Sequence, residues 1–339
     1  MKNHNKAKIN RFGTEWLLLP KEDIMAKLLP VNTEYIIAAK GETLIGDGIS
    51  CFPDTTEIGD KFRTIDYEYV SLEKGWGLVV RDKEKTYYQP ILGKINGVET
   101  VSMEQTFLDC CKLKVAPDIP QSVVYMSLAF DGCEKLVEVP KIPDGVVSLR
   151  GTFAGCKSLT TAPEIPNSVR SLDSTFCGCR KLTEAPRIPD GVSSLEGAFC
   201  GCKKLVEAPK IPESVSSLQE TFTGCGSLTT APEIPNSVRN MSYTFTGCKK
   251  LTKTPKIPDG VVSLYGAFTD CESLTTTPEI PNSVTDLAWA FKGCTALEGI
   301  LICHADPKTI KCALRGTQIT KIEGPCSEKT KIKLMETKH

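Results

Sequence analysis

The stretch CKSLTTAPEIPNSVRSLDSTF, residues 156–176, is the clearest copy of a 23-residue unit that repeats from about Val101 to Leu297. Nine copies follow one another without an insertion, and three residue types keep their place in every copy. Phenylalanine recurs at Phe107, Phe130, Phe153, Phe176, Phe199, Phe222, Phe245, Phe268 and Phe291. Cysteine follows three places later, at Cys110, Cys133, Cys156, Cys179, Cys202, Cys225, Cys248, Cys271 and Cys294. Leucine follows the cysteine by three places, at Leu113, Leu136, Leu159, Leu182, Leu205, Leu228, Leu251, Leu274 and Leu297. A fixed period of this length is typical of a solenoid of stacked units.

The recurring apolar residues predict how the units pack. One unit cannot bury its leucine, isoleucine, valine and phenylalanine side chains alone, whereas stacked units share a continuous core. We therefore predict a right-handed, leucine-rich-repeat-like solenoid over residues 99–297. The phenylalanine, cysteine and leucine columns are expected to point inward together.

The cysteines fit this core better than they fit a disulfide framework. The chain has 16 of them, and nine share one place in the repeat beside a core phenylalanine. Free cysteine packs as a small hydrophobic residue, and side chains on neighbouring rungs run parallel instead of facing each other. The sequence thus predicts a reduced cysteine ladder.

Each unit divides into two halves with different backbone preferences. From Leu172 to Leu182 the apolar residues follow a helical spacing, which predicts a short helix. The other half, residues 159–169, holds two prolines three places apart. Because proline fixes φ and lacks an N–H group, this half must be extended, with short parallel rungs instead of a broad sheet. Mixed short β rungs and short helices are therefore expected.

The N-terminal flank is predicted to contain two segments. Residues 1–45 form a leader, disordered to about residue 12, followed by a short helix from Pro20 and a hairpin. Residues 46–98 alternate aromatic and β-branched residues with turn residues, which predicts a small β-rich module. Its tyrosines and Trp76 are interpreted as core residues, and the module as the cover of the first repeat.

The C-terminal flank begins where the repeat decays. Residues 298–339 are interpreted as a cap that starts with a strand at Gly299–Ile302. The alternation of Lys331–Met335 predicts a final edge strand whose lysines blunt edge pairing.

The unit Leu-x-x-Thr-Phe-x-Gly-Cys-x-x-Leu resembles the BspA-like (Treponema pallidum type) leucine-rich repeats of bacterial surface proteins. It is most similar to the proline-rich variety found in gut bacteria and their phages. Asn96-Gly97 before the first repeat and the Gly-Ile-Leu-Ile stretch after the last are similar to the flanks of such proteins. The resemblance implies a leucine-rich-repeat solenoid and a recognition or adhesion role, commonly at a bacterial cell surface or after secretion. It implies no catalytic or ligand-binding residues.

Composition excludes several classes of function. Lysine plus arginine equal aspartate plus glutamate, 41 of each, which argues against a nucleic-acid or anionic-membrane binder. No run of 18 apolar residues predicts a membrane span, and the polar start does not resemble a signal peptide. Histidine occurs only at His4, His304 and His339, so no catalytic triad or metal motif is recognisable. We predict no enzyme activity and no cofactor.

Two Cys-Gly-Cys pairs provide the four thiols that a zinc site would need. Cys177 and Cys179 lie one unit before Cys200 and Cys202. Because Cys179 and Cys202 belong to the buried column, all four thiols are not expected to converge tetrahedrally, and we predict no metal site. A disulfide between Cys177 and Cys200 is left open.

Two rows of charge run along the predicted surface. One lies between the prolines of each unit and alternates in sign except at Arg187–Lys210, which predicts a ladder of ion pairs between rungs: Asp118, Lys141, Glu164, Arg187, Lys210, Glu233, Lys256 and Glu279. The other is a basic stripe just after the cysteines: Lys112, Lys135, Lys157, Arg180, Lys181, Lys203, Lys204, Lys249 and Lys250. A hydrated turn explains these lysines adequately, yet the basic stripe is the best candidate binding surface.

Three hypotheses about function follow. The first is a non-catalytic recognition or adhesion protein, expected to be a monomer, that offers an extended surface to a protein or glycan. The second is a passive structural spacer of a phage particle or cell envelope. The third is an unrecognised enzyme in the N-terminal module, which would need a concave pocket with converging polar groups.

Overall fold

Nine stacked units form the body of the structure, a computed structural model that describes residues 5–8, 15–18, 61–64, 66–95 and 98–338. The phenylalanine, cysteine and leucine of every unit are fully buried. Neighbouring phenylalanine rings stack with centroids 5.1–5.8 Å apart and planes within 14°. The predicted solenoid with three inward columns is confirmed. We number the units 1 to 9 by their phenylalanines, Phe107 to Phe291.

Parallel β-bridges join the units, and each bridge is one residue wide. One ladder runs through the residue five places before each phenylalanine, as in Ser148, Ser171 and Ser194. A second ladder runs along the extended half through Thr161, Glu184, Glu207 and Thr230. The prolines confine this second pairing to single residues, because they cannot donate to it. The prediction of short parallel rungs without a broad sheet is correct.

The half predicted to be helical consists of consecutive turns instead. In unit 4 alternate amides donate to the next unit, from Leu172 to the Ser194 carbonyl (3.0 Å) and from Phe176 to the Ala198 carbonyl (2.8 Å). The amides between them bond three residues back within the unit. Positive φ angles at Ser174 (53°) and Gly178 (74°) interrupt any helix. The spacing therefore predicted the buried face correctly and the backbone wrongly.

Eight of the nine column thiols also donate a hydrogen bond that apolar packing does not explain, whereas Cys110 accepts one from the Tyr88 hydroxyl at 3.4 Å. The Sγ–H of Cys202 donates to the Phe176 carbonyl at 3.1 Å, and that of Cys225 donates to the Phe199 carbonyl at 3.2 Å. The same bond recurs from Cys133 to Cys294, at 3.0–3.3 Å. All column cysteines are free thiols. The ladder is reduced, as predicted, and it joins each unit to the one before it.

A five-stranded sheet precedes the first unit. Its strands are β3 (Lys61–Arg63), β4 (Tyr67–Leu72), β5 (Gly75–Val80), β6 (Lys94–Ile95) and β7 (Val98–Ser102), in the order β3-β4-β5-β7-β6. Only β5 and β7 pair in parallel. Trp76 and two tyrosines are buried, and Tyr67 meets Phe107 edge-on with ring centroids 6.2 Å apart. These aromatic residues are core residues, as predicted.

The chain after the last unit differs from its prediction in one element. Strand β8 (Glu298–Ile302) covers the predicted strand and pairs in parallel with β9 (Gln318–Glu323). The predicted edge strand at Lys331–Met335 is wrong, because helix α1 spans Glu328–Glu336. The Ser327 side chain caps the helix by accepting from the Thr330 amide at 3.2 Å. This cap and Glu328 in the first turn favour the helix.

The predicted N-terminal leader falls mostly outside the described residues. Strands β1 (Asn5–Lys8) and β2 (Glu15–Leu18) form an antiparallel pair, and β1 lies within the segment predicted to be disordered. The helix predicted from Pro20 and the hairpin that follows it lie outside the described residues. The division into a leader, a module, nine units and a cap stays a prediction.

Candidate functional site

The consecutive turns of all units form one side of the solenoid, which we call the turn face. It comprises the residues from three before each phenylalanine to two after the following cysteine, such as 173–181 in unit 4. The backbone is the same from unit to unit, since the residue two before each phenylalanine has φ between 53° and 62° in all nine. Amides along this face bond to the next unit, which makes the surface rigid.

The predicted basic stripe lies along the turn face, immediately after the buried cysteines. Three of its members are neutralised: Lys112 by Glu84 (2.7 Å), Lys157 by Glu134 (2.6 Å) and Lys249 by Glu272 (2.7 Å). The last two pairs form because an acid occupies the same place in the adjacent unit.

Units 4 and 5 present four exposed cations that have no such acid beside them. We call Arg180, Lys181, Lys203 and Lys204 the cationic cluster. None of them has an ion pair within residues 98–338, and the two corresponding places in unit 6 hold the uncharged Gly226 and Ser227. The remaining stripe members, Lys135 and Lys250, are also exposed and lie in other units. Unpaired like charges on neighbouring rungs raise the local potential and attract an anionic partner.

Two half-buried thiols lie beside the cationic cluster. Cys177 and Cys200 each precede a member of the cluster by three residues, and both are free thiols. A hydrogen bond from Cys200 lowers the pKa of Cys177 to about 7, while the same bond raises the pKa of Cys200. The two thiols thus share a proton near neutral pH.

A row of three half-buried aromatic rings lies on the turn face of units 7 to 9. The ring centroids of Tyr243 and Tyr265 are 5.0 Å apart, and those of Tyr265 and Trp289 are 6.3 Å apart. The Lys292 ammonium lies 4.8 Å from the Trp289 centroid. A hydrogen bond to Tyr265 is the main cause that raises the pKa of Tyr243 to about 12. We call these three rings the aromatic row.

The alternating charges between the prolines do not pair across units as predicted. Lys141 instead lies 3.6 Å from Asp144, and Arg187 lies 3.9 Å from Asp190, within their own units. A cleft of 190 Å³ separates these rungs, and Lys141, Glu164 and Arg187 are among its lining residues. The predicted ladder of ion pairs is therefore wrong at these rungs, because the charged ends lie across an open cleft.

Two further depressions accompany the solenoid. One of 550 Å³ lies between the extended halves of units 8 and 9, where Lys253, Lys256, Glu279 and His304 are among its lining residues. The other, of 320 Å³, adjoins the N-terminal sheet and includes Glu99 and Asp118. Glu99 is already paired with Lys94 at 2.7 Å.

Comparison with known families covers most of the chain. The family described as "BspA type Leucine rich repeat region" matches in six copies over residues 102–229, 173–298 and 218–334. The chain belongs to this family.

Solved structures with leucine-rich repeats are similar to this BspA-type chain. A leucine-rich repeat protein from Bacteroides ovatus matches with a TM-score of 0.55 and 22% identity, over 76% of this chain and 77% of that one. A T. pallidum leucine-rich repeat protein matches with a TM-score of 0.48 and 27% identity, over 55% of this chain and 87% of that one. A leucine-rich cell surface protein from Faecalibacterium prausnitzii matches with a TM-score of 0.43 and 18% identity, over 81% of this chain and 97% of that one. The search of curated proteins gives no match.

The described residues of this BspA-type protein also bear on metal binding and on membrane insertion. Those residues contain no group of three or more histidine, cysteine or acidic side chains arranged to hold a metal ion. They also contain no helix that is both long enough and apolar enough to cross a membrane.

Sequence reasoning missed two features of the turn face. The aromatic row had a signal, because units 7, 8 and 9 each carry an aromatic residue two or three places before the phenylalanine. The sequence also indicates which lysines of the basic stripe are neutralised, because Glu134 and Glu272 occupy the place of Lys157 and Lys249 in the adjacent units. Both signals become visible only when BspA-type units are aligned in columns and neighbouring rungs are compared.

Proposed function

We propose that this chain is a non-catalytic recognition protein that binds a protein or glycan along its turn face. The cationic cluster is the proposed contact for an anionic part of that partner. Adhesion at a bacterial cell surface is the finer role that the family resemblance suggests.

One observation carries the proposal: side chains on the turn face differ from unit to unit although the backbone beneath them does not. The place two residues before each phenylalanine holds Gln105, Leu128, Gly151, Ser174, Gly197, Glu220, Tyr243, Gly266 and Trp289. By contrast, the place between the prolines holds only acids and bases. Variation of this kind on a rigid backbone supports recognition, whereas a passive spacer has no need of it.

Charge reversal of the cationic cluster tests the proposal. The variant changes Arg180, Lys181, Lys203 and Lys204 to glutamate. Its matched control makes the same change at Lys141, Arg187, Lys210 and Lys256, which lie between the prolines. The probes are immobilised heparin and polyglutamate, over a series of salt concentrations.

We expect the parent chain to bind at least one probe, with affinity that falls as salt rises. The cluster variant should lose at least tenfold in affinity, while the control loses less than threefold. Equal loss in both variants would indicate a response to net charge only, and the proposal would fail. No binding of either probe by the parent chain would also reject the cationic cluster as a site.

A further inference from the structure

We propose that the aromatic row, Tyr243, Tyr265 and Trp289, is a binding site for a neutral carbohydrate chain. This inference rests on the proposed function, since it names a ligand class for a second part of the turn face.

The aromatic row is not part of the core. The core rings are the stacked phenylalanines, whereas these three rings are partly exposed. Equivalent places in units 1 to 6 are filled by residues without a ring, such as Gly151 and Gly197 in place of Tyr243. The fold therefore does not need an aromatic residue there.

Two of the three rings stand on a backbone conformation that disfavours them. Tyr243 has φ of 56° and Trp289 has φ of 62°, a region that bulky residues rarely occupy. Glycine takes the same conformation in units 3, 5 and 8 without strain. Residues held in such conformations concentrate at functional sites.

The rings are also held in place before any ligand arrives. Thr223 donates to the Tyr243 carbonyl at 2.6 Å, and Thr269 donates to the Trp289 carbonyl at 2.7 Å. The Tyr243 ring lies over Gly266, where an added Cβ would stand 2.7 Å from Cδ1. A fixed platform loses little conformational entropy on binding.

The size of the row favours a small ligand over a protein. A fully buried aromatic side chain removes about 150–250 Å² of surface. Because well under half of each ring is exposed, the three together offer no more than about 250 Å². Each partner in a stable protein interface contributes about 800 Å².

The groups around the row fit a sugar chain. The hydroxyls of Ser242 and Ser263 lie 2.9 Å apart, and Asn240 donates to Gln219 at 3.1 Å, which places hydroxyl and amide groups beside the rings. A pyranose ring has apolar C–H faces that pack on aromatic rings and hydroxyl edges that bond to such groups. The rings advance by one unit each, so consecutive sugar rings can follow them along the solenoid. Lys292 already supplies a cation to Trp289, which argues against a cationic ligand.

Glycine substitutions test the inference without threatening the fold. Tyr243→Gly and Trp289→Gly remove a ring and install the residue that units 3, 5 and 8 carry at this place. The control is Tyr125→Ala, which removes an exposed tyrosine of unit 2 that has no ring contact in residues 98–338. The probes are cellulose, xylan, mannan and chitin in affinity electrophoresis, followed by titration calorimetry with the corresponding hexasaccharides.

We expect the parent chain to bind at least one of these neutral glycans. Each glycine variant should lose at least tenfold in affinity with an unchanged or raised melting temperature, and Tyr125→Ala should bind as the parent does. Absence of binding to all four glycans, or glycine variants that bind as the parent does, would overturn the inference. Displacement of the glycan by tetramethylammonium would overturn it too, by indicating a cation site. Heparin and polyglutamate binding by the same variants separates the two proposals, because the cationic cluster should be unaffected.

Discussion

At the scale of single residues, neighbouring units give one residue type different chemistry. The column cysteines are buried, and burial raises their pKa, to about 12 for Cys225 and Cys294. Cys177 lies on the turn face instead, where the thiol of its neighbour Cys200 lowers its pKa to about 7. Position in the unit therefore determines which thiols react.

The first prediction concerns the reactivity of Cys177. Because thiolate is the nucleophile, iodoacetamide should modify Cys177 in the folded chain with a rate that is half-maximal near pH 7. Cys200→Ala removes the stabilising donor, so the midpoint should rise toward 9. Cys200→Ser keeps a donor and should leave the midpoint lower than in the alanine variant. Mass spectrometry of the digested protein locates the label. Faster modification of Cys202 or Cys225 than of Cys177 would contradict this account.

At the scale of secondary structure, hydrogen bonds between units replace those within a helix. Buried threonines take part in this pattern: the Thr175 hydroxyl donates to the Leu149 carbonyl of the preceding unit at 2.8 Å. The Leu149 carbonyl also accepts from the Thr152 amide at 3.0 Å. Side-chain and main-chain donors together join adjacent turns.

Replacement of this hydroxyl is the second prediction. Thr175→Val keeps the shape of the side chain and removes one buried hydrogen bond. We expect it to lower the free energy of unfolding by about 1 kcal/mol, measured by urea denaturation. Thr160→Val, at an exposed position, should change that free energy by less than about 0.5 kcal/mol. An equal effect of the two substitutions would show that the bond between units does not contribute.

The elements show what the sequence could and could not predict. The period and the inward columns followed from the spacing of residues such as Phe176. The extended half of each unit followed from the chemistry of prolines such as Pro163. The turns were mistaken for a helix because both bury residues at similar spacing, and bonds to the next unit leave no local pattern. At the C-terminus, the alternation in Lys331–Met335 predicted a strand, but short apolar segments do not distinguish strand from helix, and the cap at Ser327 favours the helix.

The candidate site was less predictable than the fold. The basic stripe is visible in the sequence as a column, but its neutralised members emerge only from a comparison of the charges at the same place in adjacent units. That comparison separates the neutralised Lys157 and Lys249 from the unpaired Arg180 and Lys203. Tyr243 and Trp289 differ from the other units by carrying a bulky ring on a positive φ that all nine units share, and the spacing does not reveal this turn geometry.

At the scale of the whole molecule, the buried thiols link stability to alkaline pH. All nine column cysteines have a pKa raised by burial. The folded chain therefore holds the protons of these nine thiols above pH 9, where exposed thiols lose theirs. The stability that these groups contribute is fully present below about pH 9 and is lost as pH rises toward their folded pKa values.

The third prediction is a steep loss of stability in alkaline solution. Each buried thiol should lower the free energy of unfolding by about 1.4 kcal/mol per pH unit above the unfolded pKa. Urea denaturation with a reductant present, between pH 7 and 11, measures this dependence. The double variant Cys225→Ala, Cys248→Ala should be less stable at pH 7 yet show a shallower decline. A decline of the same slope in both proteins would contradict the role of the buried thiols.

Lysine footprinting tests the central claim, that the turn face is the recognition surface, most directly. The chain is acetylated with and without bound heparin, and modified lysines are quantified by mass spectrometry. We predict that heparin protects Lys181, Lys203 and Lys204, and that Lys141, Lys210 and Lys256 between the prolines react as in the free protein. Protection of the lysines between the prolines, with those of the turn face unprotected, would contradict the account.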